Sequence, residues 1–367
     1  MPMLTPNIIA RESLLILSNN LVASSLVYKG DTSNFLGAAV GDTITIRRPA
    51  TFAVNEFSSS ISTQGVNEGS VPLVLEKHFD ISVELTSKQT TLELNDFAEQ
   101  VIRPAMTNMA EAIDTYIYSK YDEIYDIVGD GTLNTVGDLA GADRKLMEKK
   151  VPMSGRVGFL SPAAKAAFLS IDNLNRLDTR GAAGLTALTE ASLGRVMAMD
   201  FYGAQGVARH VAGVPGGTPV AAGTAGASTV AVTAGGNAGT FKKGDIVSFA
   251  GVAQTFVVTA NLTLNGSGAG TLNIAPALTA TISGAAVTVA ASHDANIIGH
   301  PRGLSLASVP LELPMEAMGA ATLSANGFNI RVVYDYDINS KKNVISFDAL
   351  VGAKVTDPRL LARFNAG

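Results

Sequence analysis

Residues 71–106 read VPLVLEKHFDISVELTSKQTTLELNDFAEQVIRPAM, and the fold turns on this passage. Its first half alternates: Leu73 and Leu75, then Phe79, Ile81, Val83 and Leu85, with mostly polar residues between them. A period of two predicts a strand with one apolar face. The second half changes period. Asn95 or Asp96 can cap a helix, and Phe97, Val101, Ala105, Met109, Ile113, Ile117, Ile124 and Val128 then follow helical spacing. The expected helix covers 95–128. At ~1.5 Å per residue it would be ~50 Å long, well above the usual length. Pro104 lies inside it and should kink it or mark a second start. Tyr116, Tyr118, Tyr121 and Tyr125 on this helix read as core and interface packing rather than as a stacking platform.

Working outward toward the N-terminus, GDTITIRRP (41–49) sets Ile44 and Ile46 against Thr43 and Thr45, as a half-buried strand does. Residues 53–72 are polar and turn-prone. Two long strands around a soft tip predict a projecting hairpin over 31–90. A lone two-stranded hairpin is marginal in water, so this one needs a neighbour to lie on. Before it, MPMLTPNIIARESLLILSNNLVAS has no basic start, its first basic residue is Arg11, and its apolar run is only Leu14 to Leu17. That is not a secretory signal. It predicts an amphipathic helix capped by Thr5, with Pro6 in its first turn and Ile8, Leu15 and Val22, about seven apart, on its packed face. No apolar stretch is long enough to span a membrane, so a soluble chain made in a reducing cytoplasm is expected.

Toward the C-terminus, residues 130–210 mix short helices and strands, including VGFLSPAAKAAFLSI, a strand followed by a Ser161-capped helix with Pro162 at its first position. Residues 211–291 then change character. Their 81 residues hold three charges, Lys242, Lys243 and Asp245, while the other 286 residues hold 56. The segments STVAVTA, DIVSFAGV, QTFVVTA, GTLNIAP and AAVTVAA recur as short alternating strands between Gly-rich turns, which predicts a small inserted barrel or sandwich. Phe241, Phe249 and Phe256 are its expected core and argue against a disordered linker. In 323–361, Phe328, Ile330, Val332, Tyr334, Tyr336 and Ile338 alternate, and after a turn at 339–343 so do Ile345, Phe347, Ala349, Val351, Ala353 and Val355. This long hairpin needs cover, and helix 95–128 is the expected lid.

Composition excludes much chemistry. The net charge is −5, from 27 Lys and Arg against 32 Asp and Glu, which argues against a surface that grips nucleic acid throughout. There is no Cys, hence no disulfide, thiolate metal site or Cys nucleophile. The four His are 78, 210, 293 and 300, and the His293, Asp294 and His300 spacing gives no shared helical face. GSGAGT (266–271) lacks the following helix of a dinucleotide loop, and GDGT (129–132) lacks the further ligands of a calcium loop and reads as a helix-ending turn. Glu99, Glu111, Asp114, Asp122, Glu123 and Asp126 read as a solvated or intersubunit face. No nucleophile–base pair or convergent metal set stands out, so no enzyme and no cofactor is expected.

A helical arm, an extended hairpin, a long helix, a mixed domain interrupted by a barrel and a final hairpin leave much apolar surface without cover. That arrangement resembles the major capsid proteins of tailed phages, an α+β class with the Johnson (HK-ninety-seven-like) fold shared with encapsulins. Residues 71–106 look like the hairpin-to-spine passage of the P-twenty-two-type coat protein family, FKKGDIVSFAGV (241–252) like the core of its inserted domain, and DYDINSKKNVISFDALVGAKVTDPRLLARF (335–364) like its terminal β segment. The resemblance implies an N-terminal arm at 1–30, an E-loop at 31–90, a P-domain from 91–128 and 323–361, an A-domain from 130–210 and 292–322, and an inserted domain at 211–291. It places Phe241, Gly244, Asp245, Phe249, Gly251 and Phe256 in the insertion core. Candidate interface residues are Phe79, Ile81, Val83, Leu85, Phe97 and Tyr116; candidate hinges are Gly37, Gly41 and Pro104.

The resemblance further implies self-assembly of pentamers and hexamers into an icosahedral virion shell in the host cytoplasm. A scaffolding protein and a portal would accompany it, a decoration protein is a further partner, and double-stranded DNA would be enclosed without specific binding. The family's inserted domain carries a charged loop ahead of its GD strand. Here 221–240 is uncharged, so salt bridges from this domain are not expected to join capsomers, and a role in folding or subunit stability is. Lys77 and Lys88 flank the hairpin, but no Glu–Lys–Asn trio marks a crosslink. The alternatives are an encapsulin-like compartment shell, which neighbouring terminase and portal genes would argue against, and a soluble enzyme with a β-rich accessory domain, which predicts a compact monomer or dimer.

Overall fold

The computed structural model describes residues 6–29, 41–48, 52, 54–56, 63–66, 68–85, 98–131, 135–176, 182–314, 319–338 and 342–366. Two compact units divide them: one from Met1–Leu21, Tyr28–Ile113 and Ser305–Asp357, the other from Val22–Val27, Asp114–Leu304 and Pro358–Gly367.

The first unit is built on a six-stranded sheet. Its strands run in the order Tyr28–Lys29, Leu304–Val309, Lys342–Val355, Phe328–Asp337 and Gly319–Ala325, and Lys77–Leu85 also pairs with Lys342–Val355. The hairpin of Phe328–Asp337 and Lys342–Val355 has Arg331 opposite Asp348 and Asp337 opposite Lys342. The helix lying against Gly319–Ala325 and Phe328–Asp337 is the N-terminal one, Pro6–Asn20, which buries Ile9, Ala10, Leu14, Ile16 and Leu17. Those positions share one helical face, but it is not the one expected: the seven-spaced Ile8 and Leu15 are exposed, because the face that meets the sheet lies about a quarter-turn round the helix.

The 31–90 expectation needs correcting. The strand Thr43–Arg47 pairs with Ser70–Val74, from Thr43 opposite Val74 to Arg47 opposite Ser70. The pairing stops there. Lys77–Leu85 leaves that partner and runs antiparallel to Lys342–Val355, with Ile81 opposite Phe347. The apolar series is therefore two strands in two sheets. The charged residues Glu76 and Lys77 stand where it divides.

The long helix is also shorter than its apolar spacing predicts. A π-helical turn at Ala98–Ile102 gives way to an α-helix at Arg103–Ser119 and a 3-10 turn at Lys120–Glu123. The α segment starts one residue before Pro104, whose missing N–H is tolerated in a first turn. Ile124 is not helical, and Ile127–Gly131 is a strand rather than a helix-ending turn.

In the second unit a seven-stranded mixed sheet runs in the order Ile127–Gly131, Leu361–Ala366, His293–Gly299, Arg156–Leu160, Met199–Gly203 and Arg195–Val196, with Arg209–His210 also paired to His293–Gly299. Helices Val136–Glu148, Pro162–Leu169, Asp172–Asn175 and Ala182–Glu190 accompany it. Leu139, Leu146, Leu160, Phe168, Met199 and Phe364 meet in its core. The caps follow local sequence: Thr135 and Asp138 form a reciprocal capping box, and Ser161 Oγ accepts from Ala164 N ahead of Pro162.

The same unit contains a closed barrel. Its six strands are, around the wall, Val220–Gly223, Thr229–Thr233, Ala269–Ala275, Thr255–Val258, Ile246–Phe249 and Ile282–Val289. Val230, Val232, Phe241, Phe249, Phe256 and Leu272 fill it. The alternation of Val230 and Val232 with exposed Thr229, Ala231 and Thr233 shows the strand period directly. The chain enters through Arg209–His210 and leaves through His293–Gly299, and His293 pairs with His210 and Asp294 with Arg209.

Candidate functional site

Two arrangements stand out: a two-faced strand in the first unit, and a buried polar joint at the base of the barrel in the second.

Along Lys77–Leu85, Phe79, Ile81 and Val83 are half-buried, while Asp80, Ser82 and Glu84 are exposed. Val83 stands beside Ile345, which faces Tyr334, and Ile81 beside Phe347, which faces Val332. These form apolar rows across three strands. Leu85 extends the ladder opposite Asn343. The other face is polar. Asp348 is buried and takes Arg331 Nε at 2.9 Å and Nη2 at 2.7 Å, with His78 Nε2 at 3.3 Å. Asp80 accepts from Ser346 Oγ at 2.7 Å and Ser82 Oγ at 3.1 Å. Partial burial raises the Asp80 carboxyl, but these hydrogen bonds outweigh it and leave the group below its ordinary value. Lys342 pairs with Glu84. Among the described residues no strand pairs with the other edge of Lys77–Leu85.

The remaining candidates fall variously. Phe97, Gly37 and Lys88 lie outside the described residues. Gly41 has φ +99° and closes the ladder of the Thr43–Arg47 hairpin, its N–H donating to Leu75 O at 2.8 Å. Tyr116 is buried within the chain, 6% exposed, with Lys120 Nζ 4.7 Å from its ring centre. The helix carboxylates are also not all solvated. Asp114 is buried and accepts from the N–H groups of Val22, Ala23 and Ser24 at 2.8, 3.2 and 3.0 Å, and from Ser24 Oγ. Asp126 is buried, with Lys145 and Lys149 at 3.4 and 3.2 Å. The GSGAGT segment is a turn held by Asn265 Oδ1, which accepts from Ser267 and Ala269 N–H, and an antiparallel strand follows it.

Of the six insertion-core candidates, Phe241, Phe249 and Phe256 line the barrel interior, with Phe249 and Phe256 ring centres 5.3 Å apart. Gly251 instead sits in an exposed turn. Gly244 and Asp245 belong to the joint. Asp245 is fully buried and accepts from Gly213 N at 3.0 Å, Lys242 N at 2.7 Å and His210 Nε2 at 2.8 Å. His210 Nδ1 meets the Tyr121 hydroxyl at 3.1 Å. Arg363, from the last strand, is fully buried: Nη1 donates to Gly244 O at 2.6 Å and Nε to Tyr121 O at 2.8 Å. Burial pulls its guanidinium down to about 10. Lys243 reaches Asp122 at 2.6 Å, and Thr255 Oγ1 donates to Tyr125 O at 3.1 Å. A Cβ on Gly213 would stand 2.4 Å from Thr240 O, so only glycine brings this backbone against Asp245. All three charged residues of the 211–291 stretch thus sit at or beside the joint. Tyr121, His210 and Arg363 had no signal in one sequence, because their partners are 119 and 242 residues away for Arg363 and 35 for His210.

No group of acidic or His residues among the described ones is arranged to hold a metal ion. Among the described residues no helix is long and apolar enough to cross a membrane.

No protein-family model matches the sequence, and no curated protein matches it. Solved structures do. A structure from Mycobacterium phage Che8 is similar over 94% of this chain and 90% of its own, with 13% identity and a TM-score of 0.50. The capsid of Ralstonia phage GP4 is similar over 94% of this chain and 87% of its own, with 8% identity and a TM-score of 0.50. The mixed α+β fold is therefore one that this chain shares with solved phage structures, a capsid among them.

Proposed function

We propose that this chain is the major capsid protein of a tailed phage, a shell subunit rather than an enzyme. The observation that carries the reading is the likeness to phage capsid structure along nearly its whole length. The arrangement of parts fits the Johnson architecture. Residues 1–30 would be the N-terminal arm, 31–90 the E-loop, 91–128 and 323–361 the P-domain, 130–210 and 292–322 the A-domain, and 211–291 an inserted domain of the P-twenty-two type. The sheet pairings would shift some of these bounds: Lys77–Leu85 and Leu304–Val309 share a sheet with the terminal hairpin and so would serve the P-domain, while Ile127–Gly131 and Leu361–Ala366 pair in the other sheet and would serve the A-domain.

Assembly is geometry. A strand edge with free N–H and C=O groups is a template for another chain, which natural monomers cover or interrupt. Among the described residues no strand pairs with the outer edge of Lys77–Leu85 along Ile81 and Val83, and that stretch offers such an edge. A neighbouring copy adding a strand or a loop there would complete the ladder. Obligate interfaces of this kind bury roughly 2,000 Å² or more, while each net contact stays weak enough for misplaced subunits to leave. Scaffold, portal and decoration proteins would bind the shell, and DNA would fill it without specific contacts, consistent with a net charge of −5.

The test is hydrogen exchange of the backbone amides in 77–85, in free subunits and in assembled particles. The proposal expects outward-facing amides of this strand to gain protection on assembly. Equal exchange in both states would remove the edge from the interface.

A further inference from the structure

We infer that the barrel is fastened by a pH-sensitive latch whose sensor is His293, and that acid loosens the barrel from the sheet beneath it while leaving the barrel itself folded. The inference concerns one subunit and stands whether or not shells form.

The latch has two parts. One is the neck, where the entering strand Arg209–His210 pairs with the start of His293–Gly299. The other is the set of buried Asp245, His210 and Arg363 with half-buried Tyr121. Asp245 ties the turn at 242–245 to the neck through His210 and Gly213, and Arg363 ties Gly244 to Tyr121. Each bond is charge-assisted or buried, the kind whose loss leaves a desolvated partner behind.

His293 sits in the neck and is 1% exposed. Its Nδ1 lies 2.7 Å from Ala291 O, so Nδ1 carries the proton and donates it. Nε2 is buried and has no hydrogen-bond partner among the described residues. A second proton would have to sit on that nitrogen, facing no acceptor. The charged and titratable groups around it are mostly unhelpful. From the neighbouring strand comes the His210 ring, 5.6 Å away between centres; from the last strand comes the Arg363 guanidinium; only Asp294 attracts a proton. Asp294 is already engaged by Ser161 Oγ at 2.7 Å and by Arg209 at 4.0 Å. Beyond His210 stand Asp245 and the Tyr121 hydroxyl, both turned to His210 itself. The second positive charge would therefore arise in the buried space that Arg363 already occupies. Burial first, then Arg363 and His210, lower the His293 value from its ordinary 6.5. The closed joint thus prefers neutral His293, and an opened joint, with the ring in water, takes up the proton. By linkage the closed form loses ground as pH falls below the open-state value, by up to about tenfold in its equilibrium per pH unit.

Hydrogen exchange on the full-length chain at about pH 7.5 and about pH 5, corrected for intrinsic rates, reads this directly. The inference expects amides at 209–213, 242–245 and 291–295 to lose protection by about tenfold or more in acid, with Val230, Val232, Leu272 and Ile274 inside the barrel unchanged. His293→Asn keeps a donor toward Ala291 O and cannot be protonated, so it should abolish the acid effect; His293→Gln serves if that variant does not fold. Unchanged protection of the neck in acid, concerted loss across neck and barrel, or the same acid effect in the variant would each overturn it.

Discussion

At the residue scale, buried polar groups decide more than their number suggests. Asp114 is the clearest case, since its carboxylate satisfies three backbone N–H groups and a hydroxyl around Val22–Ser24. Asp114→Ala should destabilise the subunit by at least about 2 kcal/mol, seen as a lower midpoint in thermal or urea unfolding. A change under about 0.5 kcal/mol would show those donors finding other partners. Tyr118 is the opposite case. Its hydroxyl is buried and has no partner among the described residues, and burial, then the charge of Asp114, push its phenol far above the ordinary value. Tyr118→Phe should be neutral or stabilise by about 1 kcal/mol, because it removes an unsatisfied polar group and keeps the ring against Phe159. A loss of similar size would mean that the hydroxyl is satisfied in solution. None of these roles was legible beforehand. A carboxylate that caps a segment 92 residues away looks the same in sequence as a solvated one.

At the scale of elements, legibility followed periodicity. The barrel strands and the terminal hairpin alternate cleanly, so Val230, Val232, Ile330, Val332 and Phe347 could be assigned inward, and all are buried. The helix 95–128 was overextended because Ile124 and Val128 fit a helical spacing and a strand equally well. The choice between them is made by Leu361–Ala366, which pairs in parallel with Ile127–Gly131 from the far end of the chain. Leu361–Ala366 carries Arg363 in its middle and alternates too little to announce itself. The same distant pairing constrains Gly299. It has φ +147°, and a Cβ there would stand 2.1 Å from Leu360 O, a backbone atom that cannot step aside. Gly299→Ala should prevent the second unit from folding or cost about 3 kcal/mol or more, with insoluble expression or a sharply lowered midpoint as the readout. Phe256→Ala acts in the barrel alone. It empties a fully buried position beside Phe249 and should cost about 3–5 kcal/mol, detected as an early unfolding transition of the barrel. A wild-type melting profile would show that the barrel core tolerates the cavity.

At the scale of the whole molecule, the capsid reading came from the order of parts rather than from any chemical motif. That order was legible because strands, helix and barrel each have a period. What was not legible is how far each exposed limb is sheltered by its own chain. Lys77–Leu85 has one edge covered by Lys342–Val355, and only the other is open among the described residues. The account therefore needs neighbours for fewer apolar rows than the sequence implied, and it still needs them for that edge. The most direct measurement is sedimentation velocity with negative-stain imaging of the purified full-length chain, across concentration and salt. The account predicts closed shells, rings of capsomers or shell-like polymers. A compact particle of one or two chains that never associates under any of these conditions would contradict it.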